Sequence, residues 1–295
     1  MPEALDPART GWLLVDGSSI IFRAFFGIPQ SFKSPSGKPV NAIRGFVDNL
    51  ARLIGEYRPH SLAIGTDEDW RPAFRVDALP SYKSHRVAEP IPPGLIPQMP
   101  LAYALVEAIG LNVVRVDGYE AEDVIASLAA KIDGPIDIYS GDRDLFALVR
   151  DPNVRVIYPE KGGPAVITEG EIERRYGVPG HLYADFAILR GDPSDGLPGV
   201  AGVGAKTAAA LLKRHGGLDG ILAGMDWAPA TRAYLEAARR VVMPVTTLPV
   251  RPVPGLPGKV LDPAGLEMLR AELGVDSSIK RLLAALGIRE DDAGS

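Results

Sequence analysis

The sequence predicts an α/β protein: a parallel sheet with helices on its faces, followed by an all-helical region. Two observations carry this. Over the first two-thirds of the chain short apolar runs alternate with helix-period segments, and after about residue 180 only helical patterns remain. "GWLLVD" (11–16) reads as a buried strand, and 41–57 places Ile43, Phe46, Val47, Leu50, Leu53 and Ile54 on one helix face. "SLAIGT" (61–66) is a second strand, "LAYALVEAIG" lies in a helix, "LNVVRV" (111–116) is a third strand and "AEDVIASLAAKI" the next helix. "IDIYS" (136–140) and "VRVIY" (154–158) add a fourth and a fifth strand. Helices follow at 181–190, 206–214, 231–241, 263–273 and 277–286, so the chain divides at 1–180 and 181–295. The Pro/Gly-rich stretch 245–258 reads as an extended linker after which the last helices pack back, and the tail "EDDAGS" as frayed.

Residues 68–97 differ in character. They carry Arg71, Arg75, Lys83, His85 and Arg86, end in "EPIPPGLIP" and show no convincing strand. A connection of that length is usually functional or disordered, and this one reads as a mobile basic lid.

Composition narrows the function. The 295 residues include 32 Lys+Arg against 37 Asp+Glu, for a net charge of −5, and 46% are hydrophobic. No apolar stretch approaches the ~18 residues of a membrane span, and "MPEALDPART" has neither a basic leader nor an apolar core, so a cytoplasmic protein is expected. The chain has no cysteine and four scattered histidines, which excludes disulfides, thiolate nucleophiles and Cys-ligated metals. Any metal is then held by oxygen, which suits Mg²⁺ or Mn²⁺.

The acids fall in a pattern. Asp16 closes the first strand, Asp67 follows the second, Glu120, Glu122 and Asp123 follow the third, and Asp142 and Asp144 follow the fourth. All therefore lie on the carboxyl edge of the sheet, where open α/β sheets bind ligands. "GDPSDG" adds Asp192 and Asp195 from the helical region. Like charges 4 Å apart repel by about 4 kcal/mol per pair at an effective dielectric near 20, so nine converging carboxylates require cations. Two divalent ions ~3.5–4 Å apart, bridged by shared carboxylates, form the arrangement that hydrolyses phosphodiesters. With the nine set aside, 28 acids face 32 bases, and the remaining surface can hold a phosphate backbone. Singly, each acid is as well explained as a helix cap, Glu120, Glu122 and Asp123 above all; together at four strand ends they are not.

"LPGVAGVGAKTAAALL" (197–212) places Gly199, Gly202 and Gly204 before a helix that begins near Lys206 and Thr207. Glycines in such a turn let backbone N–H groups and a helix N-terminus grip DNA phosphates without reading bases, as in a helix-hairpin-helix spanning 185–215. The Val200 and Val203 carbonyls are candidates for a monovalent cation. Walker spacing is absent and no strand precedes the glycines; the alternative is an interhelical turn that binds nothing. In the lid, Lys83 and Arg86 are spaced to share a helical face, beside Tyr82, where they can draw a phosphate past the acids.

"LLVDGSSIIFRAFFGIP", "FRVDALPSYKSHR", "GYEAEDVIASLA", "SGDRDLFALV" and "GDPSDGLPGVAGVGAKTAAALL" resemble, in order, the blocks of the bacterial 5′-3′ exonuclease and flap endonuclease family, which includes the nuclease domain of bacterial DNA polymerase I. The resemblance implies a PIN-like core over 1–180, a helical arch at 68–97 and a helix-three-turn-helix clamp. It implies Asp16, Asp67, Glu120 and Glu122 on the first-metal side, with Asp123, Asp142, Asp144, Asp192 and Asp195 completing a site for two or more Mg²⁺ or Mn²⁺ ions. Lys83, Arg86, Arg23 and Arg75 match basic positions near the scissile phosphate, and Val200 and Val203 the carbonyls that bind K⁺.

Three departures stand out. Glu122 replaces a common Asp, "GTDED" replaces Phe-Asp-Ala around Asp67, and Gly196 replaces Asn in "SDG". None removes a proposed ligand. The implied protein is a free-standing, monomeric, metal-dependent nuclease cleaving DNA at 5′ flaps, nicks, gaps or RNA primers in replication and repair, coupled to polymerase and ligase. A phosphomonoesterase with Asp16 as nucleophile, or an inactive junction-binding relative, would leave Asp192, Asp195 and the hairpin, or the complete acid set, unexplained.

Overall fold

The computed structural model describes residues 11–88 and 90–289, which leaves "MPEALDPART" and the "EDDAGS" tail outside the described residues. Its sheet contains β1 (Trp12–Asp16), β2 (Ser61–Gly65), β3 (Asn112–Val114), β4 (Ile136–Tyr139), β5 (Val154–Glu160) and β6 (Gly163–Ile167), in the order β3-β2-β1-β4-β5-β6. Neighbours pair in parallel except β6, which runs antiparallel to β5. The predicted sheet is thus present with a sixth strand, whose short run "GPAVI" opens on Gly-Pro and carries little apolar signal. From β1 the chain winds outward to β3 and then returns to β4, so strand order reverses between β1 and β4. Ligand crevices of open α/β sheets form at that point.

Side chains alternate across the strands, and each face has its own helices. Leu13, Val15, Leu62 and Ile64 point to one face, with α1 (Gly17–Gly27), α2 (Asn41–Tyr57) and α5 (Gln98–Ile109). Leu14, Ala63, Ile138 and Val156 point to the other, with α6 (Ala121–Ala129) and α8 (Tyr183–Arg190). Helix α1 lies outside the predicted set. Asp16 caps it, accepting the Ser19 N–H at 2.8 Å, so the acid that ends β1 also starts the next helix.

The lid holds two short helices, α3 (Ala73–Ala78) and α4 (His85–Ala88), and it is seated, not free. Arg75, Tyr82, Lys83 and Leu95 are buried. After β6 come α7 (Glu169–Tyr176), then α9 (Ala205–His215), α10 (Leu218–Gly224), α11 (Pro229–Val242), α12 (Pro263–Leu273) and α13 (Asp276–Leu286). The core of the second face runs from the sheet through α8, α9 and α11, so it continues across residue 180. Helices α12 and α13 do pack back, against α5 and α2 on the opposite face, and so lie apart from α8 to α11. No helix among the described residues is long and apolar enough to cross a membrane.

Candidate active site

A cleft of about 490 Å³ opens over the carboxyl edge, and Asp16, Asp67, Glu120, Glu122, Asp142, Asp144, Asp192 and Asp195 all line it. Eight of the nine predicted acids therefore converge, from four strand ends and from the 3₁₀ turn Pro193–Asp195. Glu122, Asp142 and Asp144 each present an oxygen within 4.8 Å of the others. That triplet is a ready oxygen cage for a divalent ion.

Local structure fixes each acid. Asp16 accepts the Ser19 N–H with one oxygen and the Ser140 hydroxyl with the other, at 2.5 Å. Both oxygens of the rival Asp16 nucleophile are thus engaged. Asp67 accepts the Ala121 N–H at 2.7 Å, tying β2 to the start of α6. Asp142 accepts the Asp144 N–H at 2.9 Å in a tight turn after β4. Asp192 pairs with Arg143 at 3.1 Å and accepts the Ser194 N–H at 3.0 Å.

The ninth acid departs from expectation. Asp123 is fully buried, takes both oxygens to Arg75 at 2.8 and 2.9 Å, accepts the Val245 N–H at 2.7 Å and does not line the cleft. Arg75 correspondingly has no exposure and faces Glu120, Glu122 and Asp123, not a phosphate position. Three residues after an N-cap, Asp123 turns back into the helix start, as its reach to the Glu120 N–H at 3.3 Å shows.

Two other lid cations, Lys83 and Arg86, face the acids, whereas Arg71 donates to the Tyr82 and Pro80 carbonyls. Lys83 Nζ donates to Glu120 at 2.6 Å and lies 3.6 Å from Asp195; its backbone N–H donates to the Asp195 carbonyl at 2.9 Å. Arg86 donates to the Trp70 carbonyl at 2.8 Å, 3.7 Å from Glu120. Arg23 is exposed at the cleft wall, and His85 is exposed and outside the lining. Gly196 has φ +70°, and a Cβ would sit 2.0 Å from the Ser81 carbonyl oxygen, so this glycine lets the lid dock.

The cluster is electrostatically frustrated. Burial, then Asp67, pushes Asp16 up to about 7, and burial pushes Asp195 up to about 6 despite Lys83. Burial also holds Glu122 and Asp144 well above the carboxylate range, with Asp195 and Asp142 adding to the effect at Asp144. Glu122 Oε1 is buried and lies 2.9 Å from Arg75 outside hydrogen-bond alignment. A crowded, all-oxygen, under-coordinated set of this kind fits divalent cations.

The raised values carry a sign. A carboxyl that binds its proton more tightly folded than unfolded stabilises the fold at low pH, and that contribution is lost as pH rises from the unfolded value through the folded one. For Asp16 the window runs from 3.8 to about 7. In EDTA, Asp16→Asn is therefore expected to melt higher than wild type above pH 7 and to lose the advantage near pH 4, while saturating Mn²⁺ at pH 8 favours wild type. Equal melting temperatures across that window would contradict the assignment.

The hairpin lies between α8 and α9 as predicted. Gly199 and Gly202 have φ of +72° and +79°. Gly204 does not share that need: its φ is −86°, extended, at the helix N-cap. Gly202, Gly204, Lys206 and Thr207 are exposed. The Val200 carbonyl accepts the Val203 N–H at 2.9 Å, and Tyr234 of α11 pins the loop, accepting the Gly199 N–H at 3.0 Å and donating to the Ile188 carbonyl at 2.9 Å. Sequence reasoning missed Tyr234, 35 residues away, and Arg143, hidden between two acids. It also missed Phe22 and Trp70, which line the cleft with ring centroids 6.3 Å apart.

Residues 11–177 match the family model described as 5′-3′ exonuclease, N-terminal resolvase-like domain, and 178–248 that described as 5′-3′ exonuclease, C-terminal SAM fold. A 5′-3′ exonuclease of Streptomyces coelicolor is 46% identical over 300 residues, covering 93% of this chain and 99% of that protein. DNA polymerase I of Mycobacterium bovis is 37% identical over 227 residues, covering 75% of this chain and 25% of the polymerase. In fold, the chain is similar to the bacteriophage T5 D15 flap endonuclease, solved with DNA and metal ions, at a TM-score of 0.65 and 16% identity over 94% of this chain and 99% of that one. A resolvase-like sheet carrying the acids, a helical region carrying the glycine hairpin and these matches over nearly the whole chain together place the protein in the 5′-3′ exonuclease family of nucleases.

Proposed function

We propose that the protein is a metal-dependent, structure-specific 5′ nuclease that hydrolyses phosphodiesters at or near the 5′ ends and flaps of DNA in replication and repair. The observation that carries this is the convergence of eight carboxylates in one cleft beneath the lid cations. Two or more divalent ions, Mg²⁺ or Mn²⁺, would there supply an activated water and charge for the departing oxygen. Glu122, Asp142 and Asp144 would hold one such ion, and Asp16, Asp67, Glu120, Asp192 and Asp195 would complete the cage. Lys83 and Arg86 meet the scissile phosphate from the lid side, and Arg23 from the wall. Attack in line leaves a 5′-phosphate and a 3′-hydroxyl.

Incubation with 5′-flap, nicked, gapped, RNA-primed and single-stranded substrates, with Mg²⁺, Mn²⁺ or EDTA, tests the reading by mapping products. Cleavage in EDTA, or products with 3′-phosphates, would reject it. A cytoplasmic monomer working beside a polymerase and a ligase is the setting this chemistry suits.

The hairpin holds the duplex through the backbone donors of Gly202, Gly204, Lys206 and Thr207, the Gly199 N–H being taken by Tyr234, with the Val200 and Val203 carbonyls as candidates for K⁺. Among the described residues nothing beyond its chain neighbours lies within 4 Å of a Cβ at Gly202, so Gly202→Val is expected to fold, with about 1 kcal/mol or more of strain. It should lose affinity for nicked and flapped duplex yet keep residual metal-dependent cleavage of single strands. Measured on one preparation, equal loss on both substrates would make the hairpin a support of the cleft, and no loss on either would make it a plain turn.

A further inference from the structure

Arg75 belongs to the lid in sequence, yet it lies beneath the acids and has no exposure. Its Nε donates to the Val241 carbonyl at the end of α11 at 2.9 Å. One terminal nitrogen donates to Glu120 at 2.6 Å and to Asp123 at 2.9 Å; the other donates to Asp123 at 2.8 Å and lies 2.9 Å from Glu122. Asp123 reaches on to the Val245 N–H at 2.7 Å. The rings of Phe74 and Tyr82 lie 5.2 and 5.7 Å from the guanidinium carbon. Three distant pieces of chain, α3, the start of α6 and the end of α11, therefore meet on one planar cation. A guanidinium enclosed in this way has no route to a substrate phosphate.

We propose that Arg75 is a positioning residue: it orients Glu120 and Glu122 for metal binding and ties the first turn of α6 to the C-terminal end of α11. The inference rests on reading the cleft as a metal centre. Its logic is geometric. Glu122 has one more side-chain torsion to restrain than an aspartate would, and Arg75 stands against its Oε1 while Asp123 holds the guanidinium plane in a two-pronged clasp. Groups behind metal ligands typically tune affinity by about 10–100-fold.

Arg75→Lys keeps the charge but cannot span Asp123, Glu120 and the Val241 carbonyl together. Mn²⁺ binding to the DNA-free protein, read by calorimetry, is expected to weaken about tenfold. Cleavage should need correspondingly more Mg²⁺, with most of the saturated rate recovered, while flap affinity in Ca²⁺ and its salt dependence stay within about threefold of wild type. Unchanged Mn²⁺ affinity with a shallower salt dependence would overturn the proposal and make Arg75 a phosphate contact. If Arg75→Lys does not fold, Asp123→Asn loosens the same clasp and should shift Mn²⁺ affinity in the same direction; no shift there overturns the proposal as well. Wild-type protein that binds no Mn²⁺ would instead overturn the metal-centre reading, and this inference with it.

Discussion

Asp142→Asn is expected to lower metal-dependent cleavage of a labelled flap by at least about 10³-fold while leaving the fold intact. Asp142 is half-buried and presents an oxygen within 4.8 Å of Glu122 and Asp144. It also contributes to the elevation of Asp16, Glu122, Asp144 and Asp195. The substitution thus removes a ligand charge where an ion must sit and relieves repulsion when no ion is there. Losing one electrostatic contact at a transition state commonly costs ~10²–10³ in rate, and a ligand shared by the reacting centre should cost at least as much. Two readouts should move in opposite directions: cleavage falls, and the melting temperature in EDTA rises. Full activity in the purified variant would sink the assignment of Asp142 to the metal centre.

Lys83→Met should lower the single-turnover rate at saturating enzyme by about 10²-fold, with flap affinity changed by less than about threefold. Methionine keeps most of the buried volume, which separates loss of charge from loss of packing. Burial works against the Lys83 charge, but Glu122, Glu120 and Asp195 outweigh it and hold the ammonium above its ordinary range, so it stays charged through any practical assay pH. An interaction made chiefly with the transition state lowers the saturated rate, whereas a ground-state phosphate contact raises only the concentration needed to saturate. Glu120 keeps Arg75 and Tyr82 at 2.6 Å after the substitution, so the acid does not become a lone buried charge. A saturated rate equal to wild type would leave Lys83 as a counter-ion alone.

Much of this was legible beforehand for a specific reason. Strands and the longer helices announce themselves through local periodicity, which is why β1, β2, β4, α2 and α8 lie where the apolar pattern puts them. The acids at successive strand ends were legible because parallel strands share one carboxyl edge, so residues remote in sequence must meet there. Helix α1 escaped because its cap, Asp16, also reads as the end of a strand, and β6 because its apolar signal is short.

The sequence by itself therefore determined the five parallel strands of the sheet, the edge on which the site forms and the acidic, oxygen-only chemistry of that site. It could not say which way each charge faces. Asp123 and Arg75 carry the same residue types as their neighbours and differ only in what packs around them: the end of α11 closes over both, and once sealed from water they must satisfy each other. The same closure seats the lid, since Lys83 docks on Asp195 and Gly196 leaves room for the Ser81 carbonyl. Those pairings join residues 48 to 166 positions apart, and short-range periodicity carries no record of them.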